Sequence, residues 1–140
     1  MFQGEGLSVL REGLPNWYVQ HVGQDGVQPK KLEKLHHRLD SCNCVIGIGM
    51  VPDVNGRISP SDEEWAVACA VQNMHLTAAA FGLGAFWSTN VAAISTQMRD
   101  FIGLGPRDRA MGLFYVGYPA CDWPEGSRGP VDAKVTWHRD

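Results

Sequence analysis

Between Ser61 and Gly82 the chain runs for twenty residues without a helix breaker. Ser61 followed three residues later by Glu64 forms a capping box, and Asp62 and Glu63 suit the positive end of a helix dipole. Gly82 and Gly84 then mark the stop. Within this span Trp65, Val67, Cys69, Val71, Met74, Leu76, Phe81 and a run of alanines cover nearly every helical face. A helix that is apolar all round cannot lie on an open surface, so it is expected to be central or to sit in a subunit interface. Gln72, Asn73, His75 and Thr77 interrupt it and exclude a membrane span.

The flanking segments alternate between strand and helix patterns. Leu32, Leu35 and Leu39, spaced three and four apart after Pro29, predict a surface helix with a narrow apolar stripe. Asn43 to Met50 reads as a strand buried on both faces, and Val54 to Ser61 as a loop. Ala85 to Ser88 predicts a short aromatic strand, Ser95 an N-cap for a helix over Thr96 to Gly103, and Met111 to Tyr118 a second buried strand. At the N-terminus Leu7, Val9, Leu10 and Leu14 allow a short helix that Pro15 would end. At the other end Val135-Thr136-Trp137 offers a short final strand. This order implies an α/β or α+β arrangement in three layers.

Charge and cysteine content exclude several classes. Twelve basic against fifteen acidic residues give −3 over 140 residues, and no Lys/Arg cluster extends beyond Lys30, Lys31 and Lys34. Neither nucleic acid nor an anionic membrane is an expected partner. The length fits one domain, 1–140, which at 44% hydrophobic and 19% charged residues is expected to bury a sizeable core. No basic segment followed by an apolar run opens the chain, so Cys42, Cys44, Cys69 and Cys121 are expected to be reduced thiols in the cytoplasm.

No catalytic constellation emerges from the spacing. Gly47-x-Gly49 lacks the third glycine and following helix of a dinucleotide fingerprint, and Cys42-x-Cys44 lacks a second pair at zinc spacing. Cys69 and His75 stand about 120° from a shared helical face. His36 and His37, being adjacent, diverge, and the carboxylates of Asp62, Glu63 and Glu64 are explained by capping. No catalytic side chain and no metal ligand is therefore assigned. What remains is Gly82 to Asn90, with two glycines, two aromatics and three small polar residues at a helix-to-strand junction. Backbone groups beside a large flat side chain suit a planar ligand with hydrogen-bonding edges, although a tight turn with core aromatics would also produce this pattern.

Glu64 to Trp87, with its Ala-rich helix, Gln72-Asn73 pair and Gly82-Leu83-Gly84, resembles the FMN-dependent nitroreductase family. Met98 to Gly105 resembles that family's short helix ending in Leu-Gly-Leu-Pro, and Gly112 to Pro119 its last core strand, which ends Gly-Tyr-Pro. The resemblance covers about Leu32 to Pro119 and is closest to the compact bacterial-type branch. It implies an α+β three-layer fold around a mainly antiparallel sheet, and a homodimer with FMN at the interface. It also implies hydride transfer from NAD(P)H to nitroaromatics, quinones or similar small-molecule acceptors. By position, Trp87, Ser88 and Thr89, with Gly84 and Ala85, fall where the family lines the flavin. Thr77 to Gly82 falls where some members contact the nicotinamide nucleotide. The family's opening Arg-Arg-Ser-type helix and its Ala-Pro-Ser stretch are absent. Met1 to Gly6 resembles the end of the strand that follows them, so the chain resembles an N-terminally truncated member. Lys134 and Arg139 stand where other branches place basic residues near the FMN phosphate. The contrasting expectation is a family-derived, non-catalytic binding or structural subunit that has lost FMN phosphate binding.

Overall fold

The computed structural model describes residues 1–123 and 125–138. Helix α1 spans Gly4–Val22 and α2 spans Pro29–Asp40, with a 3-10 turn at Gln24–Gly26 between them. Strand β1 (Cys44–Met50) follows, then α3 (Pro60–Ala80), β2 (Gly84–Ser88), α4 (Thr96–Phe101) and β3 (Arg109–Gly117). The strands form one antiparallel sheet in the order β1-β3-β2, so the last strand in sequence is the central one. Phe2 extends the β1 edge by exchanging two backbone hydrogen bonds with Val45, at 2.7 and 3.1 Å.

Side-chain alternation along β3 splits the core between the two faces. Leu113 and Tyr115 point into a cluster with Leu7, Leu10, Leu14, Leu35, Leu39 and Met98 from α1, α2 and α4. Phe114, with half-buried Met111 and Val116, points the other way, against Val71, Val67 and Met74 of α3. This is the three-layer α+β arrangement, in which α3 is the only helix among the described residues that covers this face of the sheet.

Three local expectations are corrected. Pro15 does not end the first helix, which continues to Val22. Leu7, Leu10, Leu14 and Tyr18 recur at helical spacing and are all buried, and their burial outweighs the one backbone hydrogen bond that proline removes. The cap of α3 is Ser59, not Ser61: its hydroxyl accepts from the Asp62 N–H at 3.2 Å, with Pro60 in the first helical position. Glu64 is thereby released from a capping box and pairs with Arg109 at the start of β3. Val135-Thr136-Trp137 is not a strand; it follows a 3-10 turn at Asp132–Lys134 and joins no ladder with the three strands. A β pattern becomes a strand only beside a neighbour that pairs with it.

Glycines settle how closely the layers approach. The Gly47-x-Gly49 pair is a packing device: a Cβ at Gly47 would lie 2.9 Å from Ile102, and one at Gly49 2.7 Å from Leu104. Gly112 sits at φ +126 beside a bulge in which Ile48 pairs with Gly112 and Gly49 with Ala110, leaving Met111 as the extra residue. A Cβ at Gly112 would meet the Ser88 carbonyl oxygen at 2.5 Å and the Trp87 Nε1 at 2.7 Å. Among the described residues no helix is long and apolar enough to cross a membrane.

Gly112→Ala is expected to lower unfolding free energy by about 3 kcal/mol, combining a strained backbone with a backbone clash. Gly117→Ala, on the same strand with open space around it, should change stability by less than about 0.5 kcal/mol. Urea unfolding midpoints of the two variants check this contrast.

Candidate functional site

The bulge that Gly112 permits also seats the most conspicuous aromatic residue of β2. Trp87 lies across from Phe114, and its indole N–H donates to the carbonyl of the bulged residue, Met111, at 3.0 Å. One hydrogen bond and the missing Cβ of Gly112 thus hold the ring at the wall of a cleft of ≈ 470 Å³. That volume lies in the range of small-molecule sites. Thr89, Ile94 and Thr96 line the same cleft, as do Arg99, Arg107 and Arg109.

The three arginines differ in what they are free to do. Arg99 is held by Asp100 and by the Pro106 carbonyl, and Arg109 by Glu64. Arg107 makes no ion pair or hydrogen bond among the described residues, so its charge remains available at the cleft. Asp108 accepts from the Gly105 N–H at 2.7 Å and shapes the loop that carries Arg107. The sequence shows Gly105 to Asp108 only as a turn; its place beside Trp87 comes from β3 pairing with β2.

The residues singled out from the sequence separate in space. Trp87 and Thr89 share the cleft just described. Ser88 points inward on the other face: it is 3% exposed and its hydroxyl accepts from the Asn90 side chain at 3.0 Å. Asn90 in turn accepts from the N–H groups of Ala92 and Ala93, closing the turn that leads to α4. Gly84 and Ala85 line a different cavity, of ≈ 460 Å³, with Arg38, Cys42, Phe86, Tyr115 and Trp123. Thr77 lies on a third groove of ≈ 360 Å³ along α3, together with Met74, Phe81 and Leu83. Lys134 is in the 3-10 turn near the C-terminus, and Arg139 lies outside the described residues.

The α3 face turned away from the sheet is left open. Trp65 is 65%, Leu76 61% and Phe81 75% exposed, while Cys69 and several alanines of the same helix are also at the surface. His75 packs edge-on against Phe114 at 4.7 Å instead of meeting Cys69. Among the described residues no group of three His, Cys, Asp or Glu side chains could hold a metal ion.

Two groups among the described residues have shifted acidity. Asp53 in the loop before α3 is held below the usual carboxylate range, chiefly by the backbone N–H groups of Arg57 and Asn55. Burial pushes the Tyr115 phenol up to about 12, against a smaller opposing pull from Arg38. Its folded-state value stands above the unfolded value near 10, so the resulting stability is complete below pH 10 and is lost as pH rises through 12. Tyr115→Phe is expected to abolish a loss of up to about 3 kcal/mol across that window, read from urea midpoints at pH 9 to 12.

The sequence model described as the nitroreductase family matches residues 7–118. The Escherichia coli protein named "Putative NAD(P)H nitroreductase YdjA" is 24% identical over 119 residues, covering 85% of this chain and 63% of that protein. A crystal structure of a nitroreductase-like family protein from Bacillus cereus superposes with a TM-score of 0.69 at 25% identity, covering 96% of this chain and 69% of that one. A nitroreductase family protein structure from Streptococcus pneumoniae superposes with a TM-score of 0.50 at 15% identity, over 89% of this chain and 57% of that one. The chain thus spans a little under two thirds of the length of the curated relative it matches.

Proposed function

The chain belongs to the nitroreductase family, and on that premise we propose that it acts as an oxidoreductase subunit using FMN and NAD(P)H. The observation that carries this reading is the cleft in which Trp87, locked to Met111, stands beside Thr89 and the unpaired guanidinium of Arg107. A flat apolar wall, hydroxyls at its rim and one available cation fit a planar ligand with a polar edge and an anionic arm. Hydride transfer from NAD(P)H to nitroaromatics, quinones or similar acceptors is chemistry that FMN supplies when bound.

The chain's own residues would bind and orient. The Trp87 ring would give the isoalloxazine a rigid apolar surface, since its χ angles are restrained by the hydrogen bond to Met111. Thr89 and Thr96 would offer hydroxyls to polar edges, and Arg107 a charge-assisted contact to phosphate. Ser88 would act at one remove, by anchoring Asn90 and hence the turn that carries Ile94 to the cleft. Gly84 and Ala85, on the other cavity, would contribute through the path of β2 and not by touching the same ligand. No acid, base or nucleophile is required of the protein for this transfer.

The exposed apolar face of α3 supports a homodimer in which a second copy covers Trp65 and Leu76. Four free cysteines, two of them exposed, support a reducing, cytoplasmic setting. A non-catalytic, flavin-free subunit is the second reading. It is favoured by one observation: two of the cleft's three arginines are already paired within the chain, which leaves a single guanidinium for a phosphate.

Titration with FMN distinguishes the two. Quenching of flavin fluorescence with saturable binding is expected, weakened at least about tenfold (~1.4 kcal/mol) by Trp87→Ala and several-fold by Arg107→Gln. No saturable binding at any protein concentration would leave the flavin-free reading. Sedimentation is expected to show a dimer that Leu76→Glu shifts toward monomer, because burying an unpaired carboxylate in an apolar interface is strongly unfavourable.

A further inference from the structure

The loop that leads into α3 contains two neighbouring residues able to react with each other. Val54 and Asn55 form a tight turn, closed by the Gly56 N–H donating to the Asp53 carbonyl at 3.0 Å. Gly56 follows at φ +63, and nothing lies within 4 Å of the place where a Cβ would stand. Asn55 and Gly56 are both exposed. An asparagine side chain can approach the backbone nitrogen of its successor most freely when that successor is glycine, and asparagine is among the thermally labile residues. Of the chain's asparagines, Asn16, Asn43, Asn55, Asn73 and Asn90, only Asn55 precedes a glycine.

The asparagines also differ in how they are held. Asn16 and Asn73 lie within α1 and α3, where the following backbone N–H is committed to the helix. The Asn90 side chain is locked by Ser88, Ala92 and Ala93. The Asn55 amide donates only to the Asp53 carboxylate among the described residues, at 3.4 Å. That carboxylate accepts as well from the backbone N–H groups of Asn55 at 3.3 Å and Arg57 at 2.9 Å, and it pairs with the Arg57 guanidinium at 3.5 Å. The Asp53 N–H in turn donates to Glu63 in the first turn of α3. Asp53 thus fastens the whole turn to the helix, and Asn55 is part of the fastening.

We propose that Asn55 is a site of spontaneous covalent modification to aspartate and isoaspartate, and that the change unfastens this turn from α3. The Gly56 backbone nitrogen attacks the Asn55 side-chain carbonyl carbon, and the new C–N bond closes a cyclic imide. The bond from that carbon to Nδ2 breaks, and the proton lost by Gly56 leaves with Nδ2 as ammonia. Water then adds to one of the two imide carbonyls and opens the ring, which gives aspartate or, with the chain routed through the side-chain carbon, isoaspartate. Water is the only co-reactant, and no electrons are transferred. Either product places a carboxylate beside Asp53 where an amide donor stood, so two like charges replace a hydrogen bond. Isoaspartate also lengthens the backbone of the turn by one methylene, which shifts the Gly56 and Arg57 N–H groups from their acceptors on Asp53.

Peptide mapping by mass spectrometry tests the assignment, on the 140-residue chain held in mildly alkaline buffer both folded and unfolded in urea. In the folded chain the fragment carrying Asn55 is expected to gain the mass of an amide-to-acid change at a rate within about tenfold of that in urea, because an exposed turn opens at little cost. Asn55→Gln should abolish the change. A folded-state rate more than about tenfold below the unfolded one would overturn the proposal, since the turn would then protect Asn55. Conversion of any other asparagine as fast as Asn55 in the folded chain would overturn it too. The loosening is read from trypsin cleavage after Arg57, which should be several-fold faster in aged, converted protein than in fresh protein and unchanged in aged Asn55→Gln. Equal cleavage of fresh and converted wild type would show that the turn stays fastened and would overturn that part of the proposal. No flavin enters these measurements, so they are independent of whether the chain binds FMN.

Discussion

Everything in this fold hangs on the central position of β3 and on the bulge that Gly112 allows in it. A strand flanked on both sides has to satisfy two ladders and two faces at once. With Met111 as the extra residue, the strand keeps Ala110 and Leu113 on the α1/α2 side while Met111 and Phe114 face α3. Regular alternation would have sent one member of each pair to the wrong layer. The same irregularity presents the Met111 carbonyl to the Trp87 indole and leaves no Cβ in its way, so one backbone feature sets the core parity and the wall of the candidate site together.

The short strand β2 then divides what surrounds it. Alternate residues point to opposite sides, which places Trp87 on the α3 side and Phe86 near Tyr115 and Arg38 on the other. Each side carries a cavity with an aromatic wall and an unpaired guanidinium, Arg107 on one and Arg38 on the other. The chemistry differs in the remaining donors. Exposed threonines border the first cavity, whereas the second is walled by Phe86, Trp123 and the buried Tyr115, whose hydroxyl is closed off from solvent.

Much of the element order can be read from periodicity. The α2 stripe, the Ser95 cap, the strands at β1, β2 and β3, and the long apolar helix all have local causes in side-chain spacing and capping chemistry. The errors occur where a local rule met a tertiary one. Pro15 would stop an isolated helix, but Leu14 and Tyr18 are buried on either side of it and carry the helix through. Ser61 and Glu64 satisfy a capping pattern, yet Pro60 moves the helix start so that Ser59 caps it and Glu64 reaches Arg109. Val135 to Trp137 has the composition of a strand, and composition says nothing about whether an edge is within reach.

The sequence by itself determined most of the elements, the all-round apolar character of α3, and the run Gly84 to Thr89 as the place to look for a site. Those properties follow from interactions between residues a few positions apart. Only the tertiary structure decided that Trp87 and Thr89 face one cavity, Gly84 and Ala85 another, and that Ser88 is turned into the core. It also brought in Arg107, Arg38 and Tyr115, which carry no recognisable motif. Their roles arise from strand pairing across dozens of residues, and the identity of a long-range neighbour is not written in the spacing of either partner.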